Sequence, residues 1–162
     1  MRIYMLRHGR ALARADWRGP DDTRPLSDEG EAAMRREAAA LAALCLAPDT
    51  IVTSPLVRAQ RTAELVAEAL HAGDRLVEDA RLAPGFDAGR LAAVVADHEP
   101  TGALMIVGHE PDLSMTIAEL IGGGIVVCKK GGLARVDVEV VDGCLRDGRL
   151  VWLLAPAHLA GG

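Results

Sequence analysis

The chain opens on a short run of apolar and strand-forming side chains, residues 2–6, that stops at Arg7-His8-Gly9. Such a run closed by a glycine turn predicts a buried strand, here one ending at His8. Residues 10–26 are polar and contain Gly19-Pro20-Asp21-Asp22, a loop signal. Ser27-Asp28-Glu29 then offers a hydroxyl cap and an acidic first turn for a helix. Met34, Ala38, Leu41 and Cys45 fall at helical spacing and predict one buried stripe, on a helix that ends before Pro48.

The alternation continues. Residues 50–53 predict a second strand, and Ser54-Pro55 a cap followed by proline at the first position of a helix running to about Leu70. Leu76 and Val77 mark a weak third strand, 88–97 another helix, and 104–107 a fourth strand closed by Gly108-His109. Pro111 opens a helix whose Leu113, Ile117, Leu120 and Ile121 point inward until Gly122-Gly123-Gly124 ends it. Two last strands, 133–141 and 150–154, are joined by turns at Asp142-Gly143 and Asp147-Gly148. Strands alternating with helices predict an α/β, three-layer sandwich: a mostly parallel sheet flanked by helices on both faces, with an antiparallel hairpin at one edge. Such sheets bind ligands at the carboxyl ends of their strands. That rule singles out His8, Ser54 and His109, each just past a predicted strand.

Composition narrows the classes. At 162 residues, half apolar and 25% charged, the chain is sized for a single domain over 1–162 and is too apolar for disorder. No apolar run approaches the ~20 residues of a membrane span. The N-terminal run is too short for a signal-peptide core, so the expected location is cytoplasmic and no membrane partner is expected. Cys45, Cys128 and Cys144 are odd in number and form no CxxC pair, which argues against disulfides and a zinc site. A net charge of −5 with 2% aromatics excludes nucleic acid as the general partner. Eight arginines nevertheless crowd the first 36 residues, accompanied by six acids, a local anion-binding region on an acidic chain.

Three strand-to-helix junctions each deliver nitrogen-rich side chains: Arg7-His8-Gly9, the segment from Ser54 to Ala63 with Arg58 and Arg61, and Gly108-His109-Glu110-Pro111. Two imidazoles and two guanidiniums converging on one crevice make a phosphate pocket, because guanidinium forks match phosphate oxygens and imidazole can attack phosphorus. His71, His98 and His158, at a helix end, in a polar turn and in the tail, read as ordinary surface histidines. Trp17 in the first loop packs under it or docks a partner.

With Arg24-Pro25-Leu26-Ser27-Asp28-Glu29-Gly30 before the first helix and Lys129-Lys130-Gly131-Gly132 before the hairpin added, the ordered motifs resemble the histidine phosphatase superfamily, or phosphoglycerate mutase-like fold, in its SixA-type phosphohistidine phosphatase branch. The resemblance covers nearly the whole chain. It implies that His8 is the nucleophile, that Arg7, Arg58 and His109 bind the phosphate, and that neither metal nor other cofactor is needed. The implied substrate is a phosphohistidine-bearing protein. The alternatives are a small phosphorylated substrate, cleaved by a phosphomonoesterase, and a phosphate-binding regulatory module without turnover. Two positions depart from the resemblance. Arg81 stands where an acid commonly protonates the leaving oxygen, with Glu78 and Asp79 nearby as substitutes, and Arg10 stands where an acid commonly follows the first motif.

Overall fold

The computed structural model describes residues 1–98 and 102–159. Its centre is a six-stranded sheet built from β1 (Arg2–Arg7), β2 (Thr50–Thr53), β3 (Leu76–Glu78), β4 (Ala103–Gly108), β5 (Leu133–Val141) and β6 (Cys144–Leu154), in the order β3-β2-β4-β1-β5-β6. The first four strands are parallel neighbours, while β5 runs antiparallel to β1 and β6 antiparallel to β5. The helices are α1 (Asp28–Ala43), α2 (Val57–Ala69), α3 (Ala88–His98), α4 (Asp112–Leu120) and a last turn, α5 (Pro156–Leu159). This is the expected sandwich.

Side-chain alternation along the strands explains the two helical layers. Tyr4, Leu6, Ile51, Met105 and Val107 face one way and pack with Met34, Ala38 and Leu41 of α1 and Ala59, Ala63 and Val66 of α2. Ile3, Met5, Val52, Leu104 and Ile106 face the other way and meet Leu91 and Val94 of α3 and Leu113 and Ile117 of α4. Every residue of β4 is buried, as expected of a central parallel strand covered on both faces. No described helix is long and apolar enough to cross a membrane.

Five local expectations shift. Cys45 leaves the predicted buried stripe: α1 ends at Ala43, and Cys45 follows in the left-handed region, φ 52°, exposed. Ser54 and Pro55 do not start α2, which begins at Val57 with Leu56 at its cap; the Ser54 hydroxyl is engaged elsewhere. β6 begins at Cys144, because Asp142 and Gly143, φ 50° and 75°, make the hairpin turn alone. Asp147-Gly148 is instead an irregularity inside β6, where the backbone passes so close to Leu120 that a Cβ on Gly148 would meet its carbonyl oxygen at 2.3 Å. His98 ends α3, with Nε2 3.5 Å from Asp79; the Pro100 that was to follow it in a turn lies outside the described residues.

The start of α1 is tied to the segment after β1. Ser27 caps the helix by accepting the Gly30 N–H at 3.0 Å, and its own N–H donates to the Arg10 carbonyl at 3.0 Å. A Cβ at Gly30 would sit 1.9 Å from that carbonyl oxygen. Gly30→Ala is therefore expected to cost about 1–3 kcal/mol, since backbone must move to relieve the overlap. Gly73→Ala, at a position with nothing within 4 Å, should stay within about 0.5 kcal/mol. Urea denaturation of both variants checks this, and equal midpoints would refute the close approach.

Candidate active site

Strand register assembles the centre of the site. β1 pairs with β4 so that Arg7 lies opposite Gly108, and β2 pairs with β4 so that Thr53 lies opposite Val107. The next residue in each strand is His8, His109 and Ser54, and the backbone bonds carry one step further: His8 N–H to the Gly108 carbonyl at 3.1 Å, Ser54 N–H to the Val107 carbonyl at 3.0 Å. The two imidazoles end up with ring centroids 5.1 Å apart at 55°. Both are buried, as is Ser54.

Each ring is held by one polar bond. His8 Nδ1 lies 2.7 Å from the Gly9 carbonyl oxygen, which can only accept, so in the neutral ring the proton sits on Nδ1 and the electron pair on Nε2. His109 Nε2 lies 2.8 Å from Ser54 Oγ, and its Nδ1 is buried without a partner among the described residues. Thr62, on the second turn of α2, joins the elements: it accepts the Gly9 N–H at 3.1 Å and donates to the Arg58 carbonyl at 2.7 Å.

Two guanidiniums flank the rings. Arg7 donates from Nη1 to the Cys128 carbonyl at 2.8 Å. Arg58, in the first turn of α2, donates from Nη1 to the Asp21 carbonyl at 2.7 Å and from Nη2 to the Asp21 carboxylate at 3.1 Å. In both, Nε is buried and has no partner among the described residues. Arg7, His8, Arg58 and His109 all line one cavity of about 440 Å³. Arg10, Arg14, Arg24 and Lys130 line it too, and among the described residues Glu110 is the one carboxylate of its lining.

Residues 3–85 match the histidine phosphatase superfamily (branch 1). This chain belongs to that superfamily. It is 40% identical over 115 residues to an uncharacterized protein of Picosynechococcus, covering 70% of this chain and 68% of that one. It is 27% identical to the phosphohistidine phosphatase SixA of Escherichia coli (strain K12), over 98% of this chain and 96% of SixA. The solved structure of the protein histidine phosphatase SixA complexed with tungstate superposes with a TM-score of 0.83 at 24% identity, covering 98% of this chain and 99% of that one, so the two share a fold.

The acids named from the sequence, Glu78 and Asp79, are not among the residues that line the cavity. Glu78 is exposed at the end of β3, where it accepts a hydrogen bond from Gln60. Asp79 is gripped by Arg81, at 2.9 Å to Nε and 2.5 Å to Nη2, which pulls its carboxyl down to about 2. Arg81 spans on to Asp97 at 2.6 Å. Sequence reading also missed Asp21. It contacts Arg58, Arg24 at 2.9 Å and Arg14 at 3.9 Å, and only its setting among arginines hinted at this. Among the described residues no group of three or more His, Cys, Asp or Glu is placed to hold a metal ion. Trp17 folds onto its own loop, donating from Nε1 to the Pro20 carbonyl at 2.9 Å.

Burial, reinforced by nearby positive charge and opposed by the Gly9 bond, lowers His8 from 6.5 to about 3. Burial and Arg58 lower His109 to about 4, against the pull of Asp21. Both rings are neutral at pH 7, and their NMR signals should not titrate between pH 5.5 and 8 in phosphate-free protein. Between about pH 4 and 6.5 the unfolded chain binds protons that these rings do not, so stability is full above pH 6.5 and falls on acidification through that window. Urea unfolding from pH 7 to 4 should show this slope, shallower in His109→Gln; an unchanged slope would mean that His109 is charged when folded.

Proposed function

We propose that this chain is a phosphatase working through a covalent phospho-His8, with protein phosphohistidine as its substrate. The observation that carries this reading is the 2.7 Å contact of His8 Nδ1 with the Gly9 carbonyl, which leaves Nε2 as an unprotonated nucleophile between two arginines. Arg7 and Arg58 hold the equatorial phosphoryl oxygens, and His109, whose Nδ1 has no partner among the described residues, binds the same group. The Nε2 electron pair forms the new bond to phosphorus as the substrate nitrogen departs with the old one. Water then adds to phosphorus, its proton passes to Glu110, phosphate leaves and His8 recovers its electron pair. The arginines supply the positive charge for transfer, so we propose that no metal takes part.

The Arg81 lock supports a phosphorus–nitrogen bond as substrate. Arg81 ion-pairs with Asp79, whose carboxyl it holds low, and with Asp97, and none of the three lines the cavity where an ester oxygen would leave. An imidazole leaving group takes a proton from solvent near neutral pH and needs that help less. Full-length similarity to a phosphohistidine phosphatase supports the same choice. Glu110 in the cavity favours the second reading, a small-molecule phosphomonoesterase, should it protonate an ester oxygen.

Side-by-side assays decide between them. The expected kcat/KM on a phosphohistidine protein or phosphoramidate exceeds that on an unactivated sugar phosphate by tenfold or more, and EDTA leaves it unchanged. Faster cleavage of the sugar phosphate would establish the monoesterase. Phosphate binding without turnover of either would establish a regulatory module.

A further inference from the structure

The cavity carries more positive charge than a phosphoryl group neutralises. Six cations line it: Arg7, Arg10, Arg14, Arg24, Arg58 and Lys130. Glu110 in the lining and Asp21 behind Arg58 offset two of these charges, and a phosphoryl group brings about two more negative charges. Roughly two positive charges are left over. Geometry says which they are. Arg7 and Arg58 belong to the phosphoryl site, while Arg14 and Arg24 share Asp21. The side chains of Arg10 and Lys130 make no hydrogen bond or ion pair among the described residues, and both are exposed at the cavity.

These two are also fixed at their roots. The Arg10 carbonyl accepts the Ser27 N–H at 3.0 Å and is packed against Gly30. Lys130 precedes Gly131, whose N–H points at the Arg7 and His8 carbonyls at 3.1 and 3.3 Å. Both cations therefore spring from backbone clamped to the segment carrying the nucleophile, at set positions relative to the phosphoryl group. Like charges held beside one cavity without a counter-ion repel one another, a cost that an anionic ligand reverses.

We propose that Arg10 and Lys130 form a second anion subsite that reads an acidic side chain flanking the phosphorylated residue of a protein substrate. This rests on the phosphatase reading of the cavity and adds a rule for which phosphorylated segments enter it. Rim charges of this kind act on encounter and selection and leave the chemical step alone.

Phosphohistidine peptides with Asp or Glu beside the phosphorylated residue, matched peptides with Asn or Gln there, a small phosphoramidate and a sugar bisphosphate are assayed with wild type and with Arg10→Ala/Lys130→Ala. Wild type should favour the acidic peptide by about five- to tenfold in kcat/KM, a ratio that falls towards one in the double variant and in 0.5 M salt. Phosphoramidate turnover should be unchanged by the substitutions. A wild-type ratio of one overturns the proposal, as does an equal loss on phosphoramidate, which would place both cations on the phosphoryl group itself. Preference for the bisphosphate over every peptide, lost in the double variant, would overturn the protein substrate by placing the second anion in a small molecule. If only phosphoserine peptides with the same flanks are cleaved, the phosphohistidine reading fails, and the acidic-to-neutral ratio on those peptides still decides the subsite.

Discussion

Parallel pairing of β1 with β4 and of β4 with β2 is the constraint on which the site depends. Because the register puts Arg7 opposite Gly108 and Thr53 opposite Val107, the chain leaves the sheet at His8, Ser54 and His109 side by side. A one-residue slip would turn every side chain of a strand to the other face, exchanging the sets packed under the two helical layers and taking the strand ends out of line. The apolar alternation of Ile3 with Tyr4 and of Leu104 with Met105, split between the two helical layers, prevents that slip. Core packing and site geometry are thus one requirement.

Around that centre the structure concentrates cations without neutralising them fully. Burial and the neighbouring guanidiniums keep both imidazoles neutral, which preserves a free electron pair on His8. Asp21 supplies a counter-charge from outside the cavity lining and orients Arg58 through its carbonyl and carboxylate, and the buried Arg58 Nε has no partner among the described residues. A buried donor without a partner is costly. Among the described residues Glu110 stands apart as the lone carboxylate of the lining.

Much of this was legible in the chain, because period-two and helical patterns are dictated by burial and the strand-end rule then points at specific residues. The parallel core, the hairpin edge, the Ser27 cap and the convergence of Arg7, His8, Arg58 and His109 all follow from local signals. What escaped depends on long-range contact. Cys45 kept the helical spacing but lies past the helix end, since periodicity does not report where hydrogen bonding stops. Ser54 carries a capping side chain, yet the neighbouring β4 delivers His109 to it. Asp147-Gly148 has turn composition but is used for close passage against Leu120. Asp79 stands near Arg81 in sequence as a substitute acid, but its capture by Arg81 at i+2 depends on the backbone turn after β3, which the sequence does not report.

Transfer of the phosphoryl group to His8 Nε2 is the proposed step from which the rest of the chemistry follows, and trapping the intermediate tests it most directly. Protein quenched in alkali during turnover of labelled phosphoramidate should carry label that is acid-labile and alkali-stable, with phosphorus on His8 Nε2 by peptide mapping and phosphorus NMR. His8→Ala should carry none. Label on another residue, or the same amount on His8→Ala, would contradict the assignment.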